Sequence, residues 1–301
     1  PKRDWSSDVC SSDLWGSLPY DKYVVFNMLT TVPGQIAGGG LEHKNSTMLM
    51  ASRWATRTRP AYIGWLELAC HEMFHAWNVK RLRPTELGPF TYDDENFTKS
   101  LWLVEGVTDY FAELLVRRAG LSTEAEYLDG LSNTIEDLQN TPGRTVQPVE
   151  LASLDAWIKY YRPDENSANV SVSYYTKGAA LGFLLDAKIR KATGGTRSLD
   201  DAMRAAFAKY SGARGYTPDE FRGVAEQIAG VDLRPFWSAA IEGTTELDYT
   251  EALDLFGLRF RPATSTGRAF MGATTRNDAG RLVVTARSEE HTSELQSRFG
   301  I

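Results

Sequence analysis

A chain of 301 residues, 42% hydrophobic and 24% charged, has material for a substantial core and is not the composition of a disordered or fibrous protein. A net charge of −6 and a pI near 5.4 give no sign of a nucleic-acid partner, and no apolar run approaches the ~20 residues that span a bilayer. Two cysteines make no disulfide framework, and the polar residues 1–14 lack the apolar stretch of a signal peptide.

In chain order, residues 23–29 (YVVFNML) predict a strand, being rich in β-branched and aromatic side chains. Residues 33–40, with glycines at 34, 38, 39 and 40, predict a loop where backbone can approach a neighbour closely, and 41–50 predict an edge strand. Residues 61–79 form a long helix, apolar almost all round and therefore buried. An irregular spacer over 81–98 leads to a second strong helix, 101–118, stopped at Gly120 with basic residues in its last turn. A third, amphipathic helix covers 123–139, and 141–169 is mostly loop. Residues 170–175 (VSVSYY) alternate like a short strand before a helix at 178–191. A helical array follows at 198–210, 217–229, 235–241 and 249–260. Within it Thr217, Pro218 and Glu220 give the start signals of a capped helix. Residues 270–286 predict a strand, a turn at 277–280 and a second strand.

The chemistry is concentrated in His71-Glu72-x-x-His75. Helical positions four apart share a face, so two imidazoles can reach one metal ion, as in the H-E-x-x-H zinc motif. Glu72 then stands where a general base can take a proton from an activated water. A buried helix carrying two histidines and a glutamate needs partners for them, and a metal supplies those partners. The candidate third ligand is Glu105, a carboxylate on the second buried helix, completing a His₂Glu set. Asp109, one helical turn on, is placed to accept the free ring N–H of a ligand histidine.

With Ala-Trp-Asn-Val-Lys-Arg-Leu-Arg-Pro after His75, 29 residues between His75 and Glu105, and Trp102-Leu-x-Glu105-Gly, the chain resembles the glycyl aminopeptidase family of zinc metallopeptidases. These are gluzincins, so the resemblance implies an α+β fold: a thermolysin-like catalytic domain with a small mixed sheet, then a mostly helical subdomain. It implies one zinc ion, a peptide substrate and release of N-terminal glycine or alanine. Gly39-Gly40-Leu-Glu42-His43 resembles the substrate-pairing strand of neighbouring aminopeptidases, which implies that Glu42 holds the substrate α-amino group while Gly39 and Gly40 present backbone. Tyr175-Thr-Lys-Gly178 resembles the Tyr-x-Lys-Gly motif that supplies a phenol to the oxyanion, with Tyr174 one register away. Two other readings stand beside this one: a zinc endopeptidase on the same frame, and a catalytically silent, zinc-stabilised peptide-binding module.

The division expected is 15–192 for the catalytic domain, 193–262 for the helical subdomain and 263–286 for the truncated start of a PDZ-like domain. Residues 1–14 and 287–301 are expected to be non-native tails. RSEEHTSELQS and DVCSSDL can both be written as one sequencing-library adapter read in opposite orientations. Each tail holds two Lys/Arg against three Asp/Glu, so without both the charge moves from −6 to −4, and the natural protein would continue past both ends.

Overall fold

The computed structural model describes residues 14–30, 39–89, 93–260, 273–278 and 280–287. A three-stranded sheet is built from β1 (Val24–Thr30), β2 (Gly39–Glu42) and β3 (Ser46–Ser52), in the order β1-β3-β2. β3 is central, parallel to β1 (Val24 opposite Ser46) and antiparallel to β2 (Glu42 opposite Thr47). The edge strand expected over 41–50 is therefore two strands of a hairpin. The His43 N–H closes it on the Ser46 carbonyl at 2.8 Å, and Gly39 and Gly40 lie in β2 rather than in a loop. β3 alternates as a half-buried strand should, turning Thr47, Leu49 and Ala51 inward.

Helix α1 (Arg59–Phe74) packs beneath the sheet. It ends five residues before the expected limit. His75 forms its C-cap, and Val79 adopts φ +131°, which no helix continues through. The second buried segment opens with a π-type turn (Trp102–Gly106) before α2 (Val107–Arg118), and Gly120, in the left-handed region, follows its end. Next come α3 (Glu124–Gln139), the short α4 (Val149–Leu154) and the single turn α5 (Ser167–Val170).

The strand expected at 170–175 is absent. Tyr174 and Tyr175 instead open α6 (Tyr174–Ala192), because Ser173 Oγ accepts the Thr176 N–H and caps a helix there. Six alternating residues are too few to outweigh nineteen with a mostly buried face. α6 runs through the centre and packs against the π-type turn, α2, α3 and α4. Around it lie α7 (Leu199–Tyr210), α8 (Pro218–Ala229), α9 (Arg234–Ala240) and α10 (Thr250–Phe256). One buried cluster extends from Leu14 to Ala252. A separate hairpin pairs β4 (Ala273–Asp278) with β5 (Arg281–Arg287), with the Gly280 N–H donating to Asn277 Oδ1. Among the described residues no helix is long and apolar enough to cross a membrane.

Candidate metal and peptide site

The last turns of α1 carry His71 and Glu72, His75 caps that helix, and the π-type turn carries Glu105. The two imidazole rings meet edge-on with centroids 4.5 Å apart. Their Nε2 atoms face each other at 2.9 Å, and Glu105 Oε2 closes the triangle at 3.1 Å from His71 and 3.3 Å from His75. Each ring is held from behind: His71 Nδ1 lies 2.7 Å from Asp109 Oδ1, and His75 Nδ1 lies 2.8 Å from the Asn78 carbonyl oxygen. With both Nδ1–H groups donating, both Nε2 lone pairs point to one place. Such lone pairs repel in a buried site unless a proton or cation lies between them. Tetrahedral ligands at zinc-like bond lengths stand about 3.3 Å apart, the size of this triangle. His71, His75 and Glu105 could therefore hold a metal ion.

The electrostatics agree with that donor set. Burial alone would raise the Glu105 carboxyl, yet the adjoining imidazoles of His75 and His71 hold it well below the usual carboxylate range. Burial would lower His71, but hydrogen bonds to Asp109 and Glu105 keep it well above its ordinary value. Glu72 is pushed up to about 7 by burial, against the pull of His75 and His71. Its Oε2 is buried with no hydrogen-bond partner. β2 passes directly over this carboxylate, and a Cβ on Gly40 would overlap the Glu72 side chain, so only glycine allows the approach.

These groups line a cleft of about 710 Å³ that also takes in Gly39, Gly40, Glu42, Asp109 and Tyr175. Tyr175 sits in the first turn of α6 with its ring centroid 6.3 Å from that of His71. Tyr174 is fully buried, its O–H within 3.2 Å of the Tyr161 O–H, and it does not line this cleft. Burial and the Glu105 charge raise the Tyr175 phenol strongly, so it stays an O–H donor. Glu42 reaches the cleft already paired with Lys80, Nζ to Oε1 at 2.8 Å.

Sequence reasoning missed several groups here. Glu67 and Glu113 line the same cleft and are pushed up to about 7 and about 8, by burial first and by neighbouring carboxylates second. Helical spacing held the signal, since Glu67 precedes His71 by four residues and Glu113 follows Asp109 by four. Asn78 is fully buried, its amide donating to the Leu103 carbonyl and Thr108 Oγ1 while its own carbonyl orients His75.

Residues 64–181 match the model of the M61 glycyl aminopeptidase family. Among solved structures, the chain is similar to the crystal structure of an aminopeptidase N family protein from Idiomarina loihiensis. The TM-score is 0.85 at 28% identity, over 95% of this chain and 51% of that one. The chain thus spans about half the length of that relative. No curated protein matches it. The fold is a thermolysin-like domain with a helical region beside it, and its cleft carries a three-donor group that could hold a metal ion. The match to the M61 glycyl aminopeptidase family covers 118 of the 301 residues, 64–181.

Proposed function

We propose that this chain is the catalytic part of a zinc-dependent aminopeptidase that removes small N-terminal residues, glycine or alanine, from peptides. The observation that carries the reading is the convergence of two Nε2 atoms and one carboxylate within 3.3 Å, with an unpartnered glutamate beside them. Zinc held by His71, His75 and Glu105 would supply Lewis acidity toward a carbonyl and acidify a nearby water. Glu72 takes the proton from the attacking water and returns it to the leaving amine. Asp109 and the Asn78 carbonyl keep the ligand rings in the tautomer that leaves Nε2 free. Tyr175 donates its O–H to the oxyanion that develops on the scissile carbonyl. Gly39 and Gly40 present strand backbone to the substrate, and Glu42 accepts its α-ammonium.

The test is Glu72→Gln. The variant keeps its metal stoichiometry and loses about 10²–10⁴-fold in turnover of glycyl and alanyl substrates. Full turnover with metal retained would remove Glu72 from the reaction. One observation favours the endopeptidase reading instead: a second cavity adjoins the cleft at Glu42. Comparing a free peptide with its N-acetylated form separates the two.

A further inference from the structure

The second cavity, about 1290 Å³, shares Leu41, Glu42, Glu105 and Tyr161 with the metal cleft, so the two meet at Glu42. Lys80 lines only the second cavity, yet its ammonium is the group that holds Glu42 Oε1. The ion pair therefore ties β2 to the turn after α1 across the place where the spaces join. Both side chains are mostly covered, 25% exposed for Lys80 and 20% for Glu42.

The turn that delivers Lys80 is strained and firmly fixed. Val79, β-branched, sits at φ +131°, a conformation that costs on the order of 1–3 kcal/mol and persists only where its surroundings impose it. Here Asn78 is locked by its amide bonds to Leu103 and Thr108, and the Lys80 N–H donates to the His75 carbonyl at 3.0 Å. Arg81 donates to the carbonyls of Ala76, Pro19 and Lys44. The segment that orients a ligand histidine also aims Lys80 at Glu42.

We propose that the Glu42–Lys80 ion pair is a crossbar closing the upstream end of the metal cleft, and that Lys80 is a specificity-determining residue favouring removal of single residues over internal cleavage. This rests on the aminopeptidase reading and adds an element to it. Glu42 alone rewards a free ammonium; the crossbar excludes a chain that would continue beyond it. A carboxylate accepts from more than one donor, so an incoming α-ammonium joins Glu42 without expelling Lys80. A substrate acylated at its N-terminus must instead part the pair and leave two half-buried charges short of partners.

The test uses the whole chain with zinc, its Lys80→Ala and Lys80→Arg variants, and an alanine-rich hexapeptide in free and N-acetylated forms. Products are identified by mass spectrometry. Each metal-free protein is also titrated calorimetrically with the acetylated peptide, a readout independent of turnover. The wild-type chain is expected to trim the free peptide from its end and leave the acetylated one intact. Lys80→Ala binds the acetylated peptide at least about tenfold more tightly and cuts it internally, while Lys80→Arg, which keeps the pair, behaves as wild type. Lys80→Met takes the place of the alanine variant if that one fails to fold. Wild-type discrimination with unchanged binding and no internal cuts in the neutral variant overturns the crossbar and leaves the aminopeptidase reading standing. Equal cleavage of both peptides by the wild-type chain overturns that reading, and the crossbar with it.

Discussion

At Gly106 and Gly178 the Glu105 turn and the first turns of α6 touch backbone to backbone. A Cβ on Gly106 would stand 2.5 Å from Gly178 Cα, and one on Gly178 would run into the Trp102 carbonyl oxygen. These two residues set the distance between the Glu105 carboxylate and Tyr175. Gly178→Ala should therefore lower stability by about 1–3 kcal/mol through overpacking and weaken metal binding. Gly64, exposed in the middle of α1 with nothing within 4 Å of a would-be Cβ, supplies the contrast. There Gly→Ala should add about 0.5–1 kcal/mol. Urea unfolding of both metal-free variants checks the pair, and shifts of the same sign would refute the packing argument. Lys177 gives a residue-scale prediction of another kind. Its buried Nζ has no hydrogen-bond partner, and burial pushes its pKa down from 10.5 to about 8. Between those values the unfolded chain holds a proton that the folded chain has released, so the Lys177 contribution to stability rises with pH across that window, by at most about 1.4 kcal/mol per unit. Lys177→Met should remove that contribution, so that wild type gains on the variant as pH rises. Urea midpoints at both ends of the window measure it, and an equal change in wild type and variant would take Lys177 out of the pH dependence.

Among the elements, capping chemistry is what sequence and structure share most closely. Thr217 accepts from the Glu220 N–H and Glu220 from the Thr217 N–H, as the Thr-Pro-x-Glu spacing predicts, and Thr123 with Glu126 repeats the arrangement at α3. Thr217→Ala should cost about 1 kcal/mol in urea unfolding and leave turnover per folded molecule unchanged, because α8 does not line the cleft. A loss of turnover beyond the loss of folded protein would tie α8 to the site. The H-E-x-x-H pair was legible for the same reason as the caps: its geometry is set by residues within one helical turn. The π-type turn at Glu105 and the early stop of α1 at Phe74 were not, because tertiary partners impose them, chiefly the Gly106–Gly178 crossing and the locked Asn78. The Tyr174–Tyr175 alternative rested on a strand; Ser173 as N-cap makes both helical, and only Tyr175 enters the cleft. Lys80 as the partner of Glu42 joins positions 38 residues apart, and no local pattern carries such a pairing.

At the scale of the molecule, the site lies at the seam between segments that a metal would tie together. α1 and its C-cap supply two of the three donors and the turn before α2 the third, while the buried cluster runs from Leu14 to Ala252 around them. Without a cation the converging Nε2 atoms and the carboxylate must be reconciled by protons, and the triangle gains little from being kept closed. With one, the folded chain binds a ligand that the unfolded chain cannot grip at three points, so stability rises with free zinc. The increment is about 1.4 kcal/mol for each tenfold excess over the dissociation constant. Thermal unfolding across a series of zinc buffers should show the midpoint climbing steadily and a chelator returning it to the metal-free value. His75→Ala should flatten that climb, since it removes one corner of the triangle and leaves the other two facing a gap. A climb of the same steepness in His75→Ala would mean that the stabilising ion sits elsewhere on the chain, and the three donors would then be an ordinary buried ion-pair cluster.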